Sequence, residues 1–252
     1  MLLMMLERGE QIAAIVFFDT GWEFPGMYPH IHKLEKHIER KIWRISSPIP
    51  FDFWLTARPI VARKGRNKGQ VTRIGNGWPS PLTRWCTRQK VNYLDLFSRP
   101  YPNAVQCVGY AADEKERAFT RDNISTRFPL QEWGVTEADA LQYCFEQGFD
   151  WGGLYDIFPR VSCYCCPLQS LSELRKLRKH FPGLWDRMLY LETQMEPKTN
   201  RGFRQYTTVH QLEQRFAHED MQGDFFCAAR GAVNAQLKNQ GVRKGKVLDI
   251  TE

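Results

Sequence analysis

Residues 15–25 read Ile15-Val16-Phe17-Phe18-Asp19-Thr20-Gly21-Trp22-Glu23-Phe24-Pro25. The first four are β-branched or aromatic, the pattern of a strand covered on both faces, and Asp19-Thr20-Gly21 breaks the run into a turn. The apolar run reaches back toward Gln11, so a parallel strand is expected over Gln11 to Phe18. Pro25 suits the first turn of a helix in which Tyr28, Ile31, Leu34 and Ile38 recur at helical spacing while Lys33, Glu35, Lys36 and Glu39 face water. Upstream, Met1 to Arg8 reads as the closing turns of a helix stopped by Gly9. Further short strands are expected at Ile42 to Ile45, Phe51 to Leu55 and Ala104 to Gly109. Strand and helix alternate over short connections, which argues for an α/β fold of three layers with a mostly parallel sheet. Ligands of such sheets gather beyond the carboxyl ends of the strands, so Asp19, Thr20 and Gly21 are the first candidate binding residues.

The C-terminal third turns helical. Thr136 with Asp139 and Ser170 with Glu173 each form a capping-box pattern, and further helices are expected over Pro182 to Met195 and Thr208 to Phe216, with a polar tail beyond Gly231. The organisation expected is an α/β body over residues 1–169 and a helical extension with its tail over 170–252. A length of 252 residues with 42% hydrophobic and 25% charged side chains excludes disordered and fibrous classes. The longest apolar runs, such as Ile12 to Phe18, fall far short of the ~20 residues that cross a bilayer. Met1 to Leu6 is followed at once by Glu7, Arg8 and Glu10, unlike a secretory leader, so a cytoplasmic protein without a membrane partner is expected.

Two segments carry chemistry. Net charge is +7, and between Ala57 and Leu94 there is no acidic residue, while Arg58, Arg63, Lys64, Arg66, Lys68 and Arg73 crowd a Gly-rich stretch that reads as loop. Arg84-Trp85-Cys86-Thr87-Arg88-Gln89-Lys90 follows, where Arg84, Arg88 and Lys90 suit phosphate or sulfate through charge-assisted contacts. The same stretch, with Trp54, Trp78 and Trp85 as stacking groups, equally suits nucleic acid. The chain has seven cysteines, an odd number better read as reduced thiols, metal ligands or redox groups than as a disulfide scaffold. Cys163-Tyr164-Cys165-Cys166-Pro167 contains a Cys-x-x-Cys pair spaced for one metal or for a redox couple, and Cys86 and Cys165 are the thiols able to add to it. Inert thiols are the third reading. Cys107, Cys144 and Cys227 look like core residues, and the six histidines show no metal-ligand pattern.

Val16 to Ile31, Arg84 to Lys90, Gly109 to Arg117 and Arg160 to Leu174 together resemble the phosphoadenosine phosphosulfate (PAPS) reductase family. That family belongs to the adenine nucleotide α-hydrolase-like, or PP-loop, superfamily, which also holds the small subunit of sulfate adenylyltransferase and the DNA phosphorothioation sulfurtransferases. Asp19-Thr20-Gly21 with Phe24-Pro25 and Tyr28 looks like the family's Asp-Thr-Gly-x-x-Phe-Pro-Glu-x-Tyr segment, with Gly26 in place of Glu. Arg84, Cys86, Thr87 and Lys90 match its Arg-x-Cys-Thr…Lys stretch, and Gly109, Asp113, Glu114 and Arg117 match Gly-x-Arg-x-Asp-Glu-Ser-x-x-Arg, with Ala111 and Lys115 replacing Arg and Ser. The resemblance implies an adenine nucleotide ligand (ATP, PAPS or adenosine phosphosulfate), sulfate or sulfur transfer or reduction, and an electron donor protein. It assigns Asp19, Thr20, Gly21, Arg84, Arg88, Lys90 and Arg117 to the nucleotide or substrate. Cys86, Cys163, Cys165 and Cys166 would be ligands of a [4Fe-4S] cluster or zinc. The family's Ser-Gly-Gly-x-Asp-Ser phosphate loop precedes its first helix, and this chain starts in what would be that helix, so weak or absent nucleotide affinity and an inactive chain are also expected. The Glu-Cys-Gly-x-His motif of the thioredoxin-dependent reductases does not occur. The alternative expectation is a nucleic-acid-binding or DNA-modification accessory that uses the basic stretch.

Overall fold

The computed structural model describes residues 1–101, 103–117, 125–204 and 206–222. Helix α1 (Leu2–Glu7) ends where Gly9 takes φ +68°, and β1 (Ile15–Asp19), α2 (Met27–Ile38) and β2 (Ile42–Ser46) then form a parallel crossover unit. Ile15 lies opposite Ile42 and Asp19 opposite Ser46. β1 starts at Ile15 rather than Gln11 because β2 offers only five partners, and Phe18 alone of its residues is fully buried. Gly26, where the resembling family carries Glu, sits against the turn at Trp151: a Cβ there would lie 3.1 Å from the Trp151 carbonyl oxygen.

Phe51–Thr56 is a helix, α3, not the strand expected over Phe51 to Leu55. Its two buried residues, Phe51 and Leu55, stand four apart, which is a helical period, and Pro50 precedes the first turn. The basic stretch is more ordered than its glycines suggest. β3 (Pro59–Val61) and β4 (Val71–Ile74) make an antiparallel hairpin with a register break after Ile60, and α4 (Trp85–Ser98) follows. At the hairpin's base Gly75 (φ +77°) donates to the Arg58 carbonyl, and its own Cα lies so close to the end of α3 that a Cβ would stand 2.4 Å from the Leu55 carbonyl oxygen.

β5 (Gln106–Cys107) pairs in parallel with β6 (Thr126–Arg127), so the strand expected over Ala104 to Gly109 is only two residues long. Then come α5 (Pro129–Glu132), α6 (Glu137–Glu146), α7 (Leu154–Ile157), α8 (Leu171–His180), α9 (Pro182–Thr193) and a last helix, α10, over 209–222. Both capping boxes form, Thr136 with Asp139 before α6 and Ser170 with Glu173 before α8. The architecture is mixed α/β, with three two-stranded sheets among the described residues, two of them parallel. The expected polar tail and Cys227 lie outside those residues. No helix among the described residues is long and apolar enough to cross a membrane.

A single buried cluster joins Phe18, Trp22 and Phe51 to Leu174, Trp185 and Phe216, so apolar side chains on both sides of residue 170 share one core. Within it Glu192, 4% exposed, accepts from Trp78 Nε1 (3.1 Å), the Val209 and His210 amides (2.9 and 3.0 Å) and bonds His210 Nδ1 (2.8 Å). A buried carboxylate with this many partners ties α9 to the start of α10 and to the loop before α4.

Two of the hairpin's positive-φ glycines predict a contrast. Gly65 (φ +78°) has nothing within 4 Å of a built Cβ, so Gly65→Ala should cost about 1 kcal/mol of strain. Gly75→Ala adds a collision with backbone and should cost at least about twice that, measured as a shift in the urea midpoint. Equal costs would contradict the close approach described.

Candidate functional site

The carboxyl ends of β1 and β2 open into a cleft of about 230 Å³ lined by Asp19, Thr20, Gly21, Trp22, Ser46, Ser47, Ile49, Pro50, Phe51, Asp52 and Arg187. Because the two strands are parallel and in register at Asp19 and Ser46, their ends deliver both turns to the same rim. Asp19 is held firmly there. Its Oδ1 accepts from the Gly21 amide (2.8 Å) and the Tyr28 hydroxyl (3.2 Å), and its Oδ2 from Arg44 Nε (2.9 Å) and Nη2 (2.5 Å). Burial pushes the Asp19 carboxyl up, but the Gly21 amide and the Arg44 guanidinium outweigh it and hold the group below the usual carboxylate range. Gly21 turns the chain with φ +72°.

Thr20 leads from the cleft to the thiols. Its Oγ1 donates to Glu23 Oε1 (2.8 Å), accepts from the Trp22 amide (3.1 Å) and lies 3.7 Å from Cys163 Sγ, which itself donates to Glu23 Oε1 at 3.7 Å. The Cys163–Pro167 loop is strapped to β1's end by the Tyr164 amide, which donates to the Trp22 carbonyl at 3.0 Å, and is turned by Cys166 N–H to Cys163 C=O at 3.1 Å. Cys86, in the first turn of α4, joins the same neighbourhood: besides burial, Cys166 raises Cys86, and besides burial, Cys163, Cys166 and Cys86 raise Cys165. Sequence residues separated by some eighty positions are thereby gathered around one loop.

The three shifted thiols of this neighbourhood are pushed up by burial. Cys163 reaches about 12, with the Glu23 charge adding to burial and the Thr20 hydroxyl and Lys90 ammonium acting the other way. Cys165 is driven well above its ordinary value and Cys86 is raised. Neutral thiols in this state bind metal only when deprotonated. The donor set has the soft chemistry of an iron–sulfur or zinc site, but among the described residues no three of the groups are gathered as ligands around one point, so no step is derived through a metal.

The cations are arranged differently from the sequence pattern. Arg84, Arg88 and Lys90 are exposed on α4 and none lines the cleft, although Lys90 lies near enough to Cys163 to lower its pKa. Arg117 ends a single 3₁₀ turn, Lys115–Arg117, and its side chain lies outside the description. Glu114 and Asp113 of the same segment make structural links, to Arg160 Nη2 (2.6 Å) and the Glu137 amide (3.1 Å). The cation lining the cleft is Arg187 of α9, paired with Asp52 at 2.9 Å. Near both, Tyr164 is 1% exposed and its hydroxyl has no hydrogen-bond partner among the described residues; burial pushes the phenol up, with Cys165 and Asp52 adding to it and Arg187 opposing. Buried hydroxyls are seldom left unpaired, and those that are mark places where a ligand or water completes the set.

Ser46 and Ser47 follow from counting the parallel register, and Asp52 is recovered once Phe51–Thr56 is a helix. Arg187, 135 residues from its partner, carries no local signal in the sequence.

No family model matches the chain, and no solved structure does. It is similar to two uncharacterized proteins of Methanocaldococcus jannaschii, MJ0066 (23% identical over 207 residues, 75% of this chain and 38% of the relative) and MJ0973 (23% over 189 residues, 69% and 40%). The chain therefore spans about two fifths of the length of these curated relatives.

Two outcomes test the site's electrostatics. Asp19 has a lowered pKa when folded, so the stability it contributes is present above its ordinary value near 3.8 and fades as pH falls through the folded value. Asp19→Asn should cost about 1 kcal/mol at pH 7, a modest figure because the Arg44 side chain is 55% exposed, and should flatten the acid limb of a pH–stability curve. For Cys163, a pKa of about 12 against an ordinary 9.0 predicts alkylation by iodoacetamide at pH 8 roughly a thousand-fold slower than a free cysteine, read by peptide mass spectrometry. Glu23→Gln should move the midpoint of its pH profile down and Lys90→Gln should move it up. Labelling at the free-thiol rate would contradict the burial described.

Proposed function

We propose that this chain is a nucleotide-binding domain of the PAPS reductase-like, three-layer PP-loop kind. It holds an adenine nucleotide (ATP, PAPS or adenosine phosphosulfate) over the carboxyl edge of β1 and β2 and takes part in sulfate or sulfur transfer or reduction. The observation that carries the reading is the contact of Thr20, on the cleft's rim, with Cys163 at 3.7 Å, which sets a parallel-strand ligand edge directly against a nest of thiols. In this reading Asp19, Thr20 and Gly21 bound the nucleotide, and Ser46 and Ser47 offer hydroxyls. Arg187 meets a phosphate or sulfate, while Arg84, Arg88, Lys90 and Arg117 neutralise the outer part of the ligand. Two thiols closing to one disulfide release two electrons and two protons, the number that takes the sulfuryl group of a phosphosulfate to sulfite as its S–O bond breaks and the adenosine phosphate leaves, and a donor protein would then restore the thiols. Cys86, Cys163, Cys165 and Cys166 are the thiols a cluster or zinc would use, and they would first have to converge, since no three of them surround one point among the described residues.

Titration calorimetry of the chain with ATP, PAPS and adenosine phosphosulfate tests the reading. One of the three should bind, and Arg187→Ala should weaken it by about ten-fold or more, the worth of one charge-assisted contact. Absence of heat with all three at millimolar concentration would overturn it. Iron and zinc analysis of anaerobically purified protein tests the thiol assignment separately.

A further inference from the structure

The β3–β4 hairpin carries a charge pattern that the cleft does not use. Its turn reads Arg63-Lys64-Gly65-Arg66-Asn67-Lys68, four cations in six residues, and Arg58 and Arg73 stand lower on the two arms. The turn is ordered by its own hydrogen bonds, Lys68 N–H to Gly65 C=O (3.1 Å), Gln70 N–H to Asn67 C=O (3.0 Å), and the ladder pair Ala62 N–H to Gln70 C=O (3.0 Å) and Gly69 N–H to Ala62 C=O (2.9 Å). Every residue from Arg63 to Gln70 is exposed.

Elsewhere seven arginines are paired, while among the described residues Arg8, Arg40, Arg84 and Arg88 stand without a carboxylate as the hairpin cations do. Arg44, Arg127, Arg160, Arg175, Arg178, Arg187 and Arg215 each meet a carboxylate within 4 Å. Among the described residues none of the six hairpin cations does. The acidic group at the hairpin's base, Glu196, is engaged by the Ile74 amide (3.1 Å). Arg58 lies over the Trp54 ring, 4.2 Å from its centroid, and its charge is disfavoured by burial first and by Arg63 second. Such a concentration of unneutralised charge is costly to hold unless a polyanion meets it.

The shape of the arm narrows the partner. Single-strand binders stack bases on aromatic rings, but no aromatic residue occurs from Arg58 to Ile74. Trp78 and Trp85 are 5% and 8% exposed and packed in the core, so they cannot stack on bases. A two-stranded ribbon tipped with guanidinium and ammonium groups has the width of a duplex major groove and the chemistry of its phosphate rails. The paired Val61 and Val71, 47% and 55% exposed, give the ribbon an apolar flank suited to sugar and methyl edges.

We propose that the β3–β4 hairpin is a docking arm for duplex DNA, gripping the phosphate backbone through Arg63, Lys64, Arg66 and Lys68. This does not rest on the nucleotide reading of the cleft. Four phosphate contacts give a salt slope of about −3.6 on a log–log plot, or roughly a hundred-fold loss of affinity from 50 to 200 mM salt.

Fluorescence anisotropy of the whole chain with 25-base-pair DNA and RNA duplexes, the matching single strands, and anionic phospholipid vesicles tests it. The expected result is DNA duplex binding with that slope. The quadruple variant Arg63→Glu, Lys64→Glu, Arg66→Glu, Lys68→Glu should lose affinity at least ten-fold at low salt and flatten the slope. A variant of equal charge change on exposed positions elsewhere, Lys36→Glu, Arg40→Glu, Lys41→Glu, Lys179→Glu, should stay within about three-fold, with both variants checked for unchanged circular dichroism. The RNA duplex, whose A-form major groove is too deep and narrow for the ribbon, should bind more weakly, and a preference for it would overturn the groove fit. No DNA duplex binding at 50 mM salt, tighter binding of single strands or vesicles, or equal losses in the two variants would overturn the proposal.

Discussion

Trp22 is the point on which the site's geometry depends. It follows the Gly21 turn, and its ring packs against Phe51 of α3 (5.4 Å between centroids), Trp85 of α4 (5.8 Å) and Trp78 (6.3 Å). Its Nε1 donates to Asp52 at 2.7 Å, and its carbonyl accepts from Tyr164 at 3.0 Å. One residue thus fixes the end of β1 against two helices and the cysteine loop. Burying an indole among three aromatic rings yields both area and ring-to-ring contact, and satisfying its N–H with a carboxylate removes the usual cost of burying it. The other oxygen of Asp52 holds Arg187, so the cation in the cleft is positioned through the same side chain that satisfies Trp22.

Parts of this arrangement were legible in the sequence because they are local. The α2 periodicity, the Gly9 stop and the two capping boxes depend on residues within a few positions of each other, and each forms as expected. Phe51 to Leu55 failed as a strand because five apolar-rich residues fit either period, and the deciding fact, that Phe51 and Leu55 both face Trp22's core, is tertiary. The tryptophans of the basic stretch mislead for a related reason. Trp78 and Trp85 stand among cations in sequence, yet the first donates to buried Glu192 and the second to the Gly77 carbonyl at 3.0 Å, so both belong to the interior. The meeting of Cys86 with the Cys163–Cys166 loop has no sequence signature beyond the residue types, since it arises from α4 packing under Trp22.

The thiol nest and the acid at the rim are governed by opposite balances. Around Asp19 an amide, a hydroxyl and a guanidinium favour the charged form more than burial opposes it. Around Cys163 burial dominates, the adjacent Glu23 reinforces it, and one hydroxyl with one ammonium is too little to reverse it. A ligand that brings positive charge or excludes Glu23 would move the thiol toward its reactive form, whereas an anionic ligand would deepen its protonation unless Arg187 or Lys90 offsets the charge. The chemistry open to the site therefore depends on which charge occupies the cleft, more than on the thiols alone.

The two regions of chemical interest, a low-dielectric nest and a solvated cationic arm, are joined through α3. Its first turn contributes Phe51 and Asp52 to the cleft, and its last carbonyls, Trp54, Leu55 and the adjoining Arg58, receive the amides of Asn76, Gly77 and Gly75. Gly75 and Gly77 make those contacts only because they lack side chains; a Cβ would stand 2.4 Å from the Leu55 oxygen and 2.6 Å from the Thr199 oxygen. Thr199 closes the joint from the other side by donating to the Ile74 carbonyl at 2.6 Å. The hairpin is consequently rooted in the core at its base while its charged tip stays in water. A flexible attachment would have let the cations spread and relax their repulsion, so the rigidity of this root is what keeps the charge concentrated and its distance from the cleft fixed.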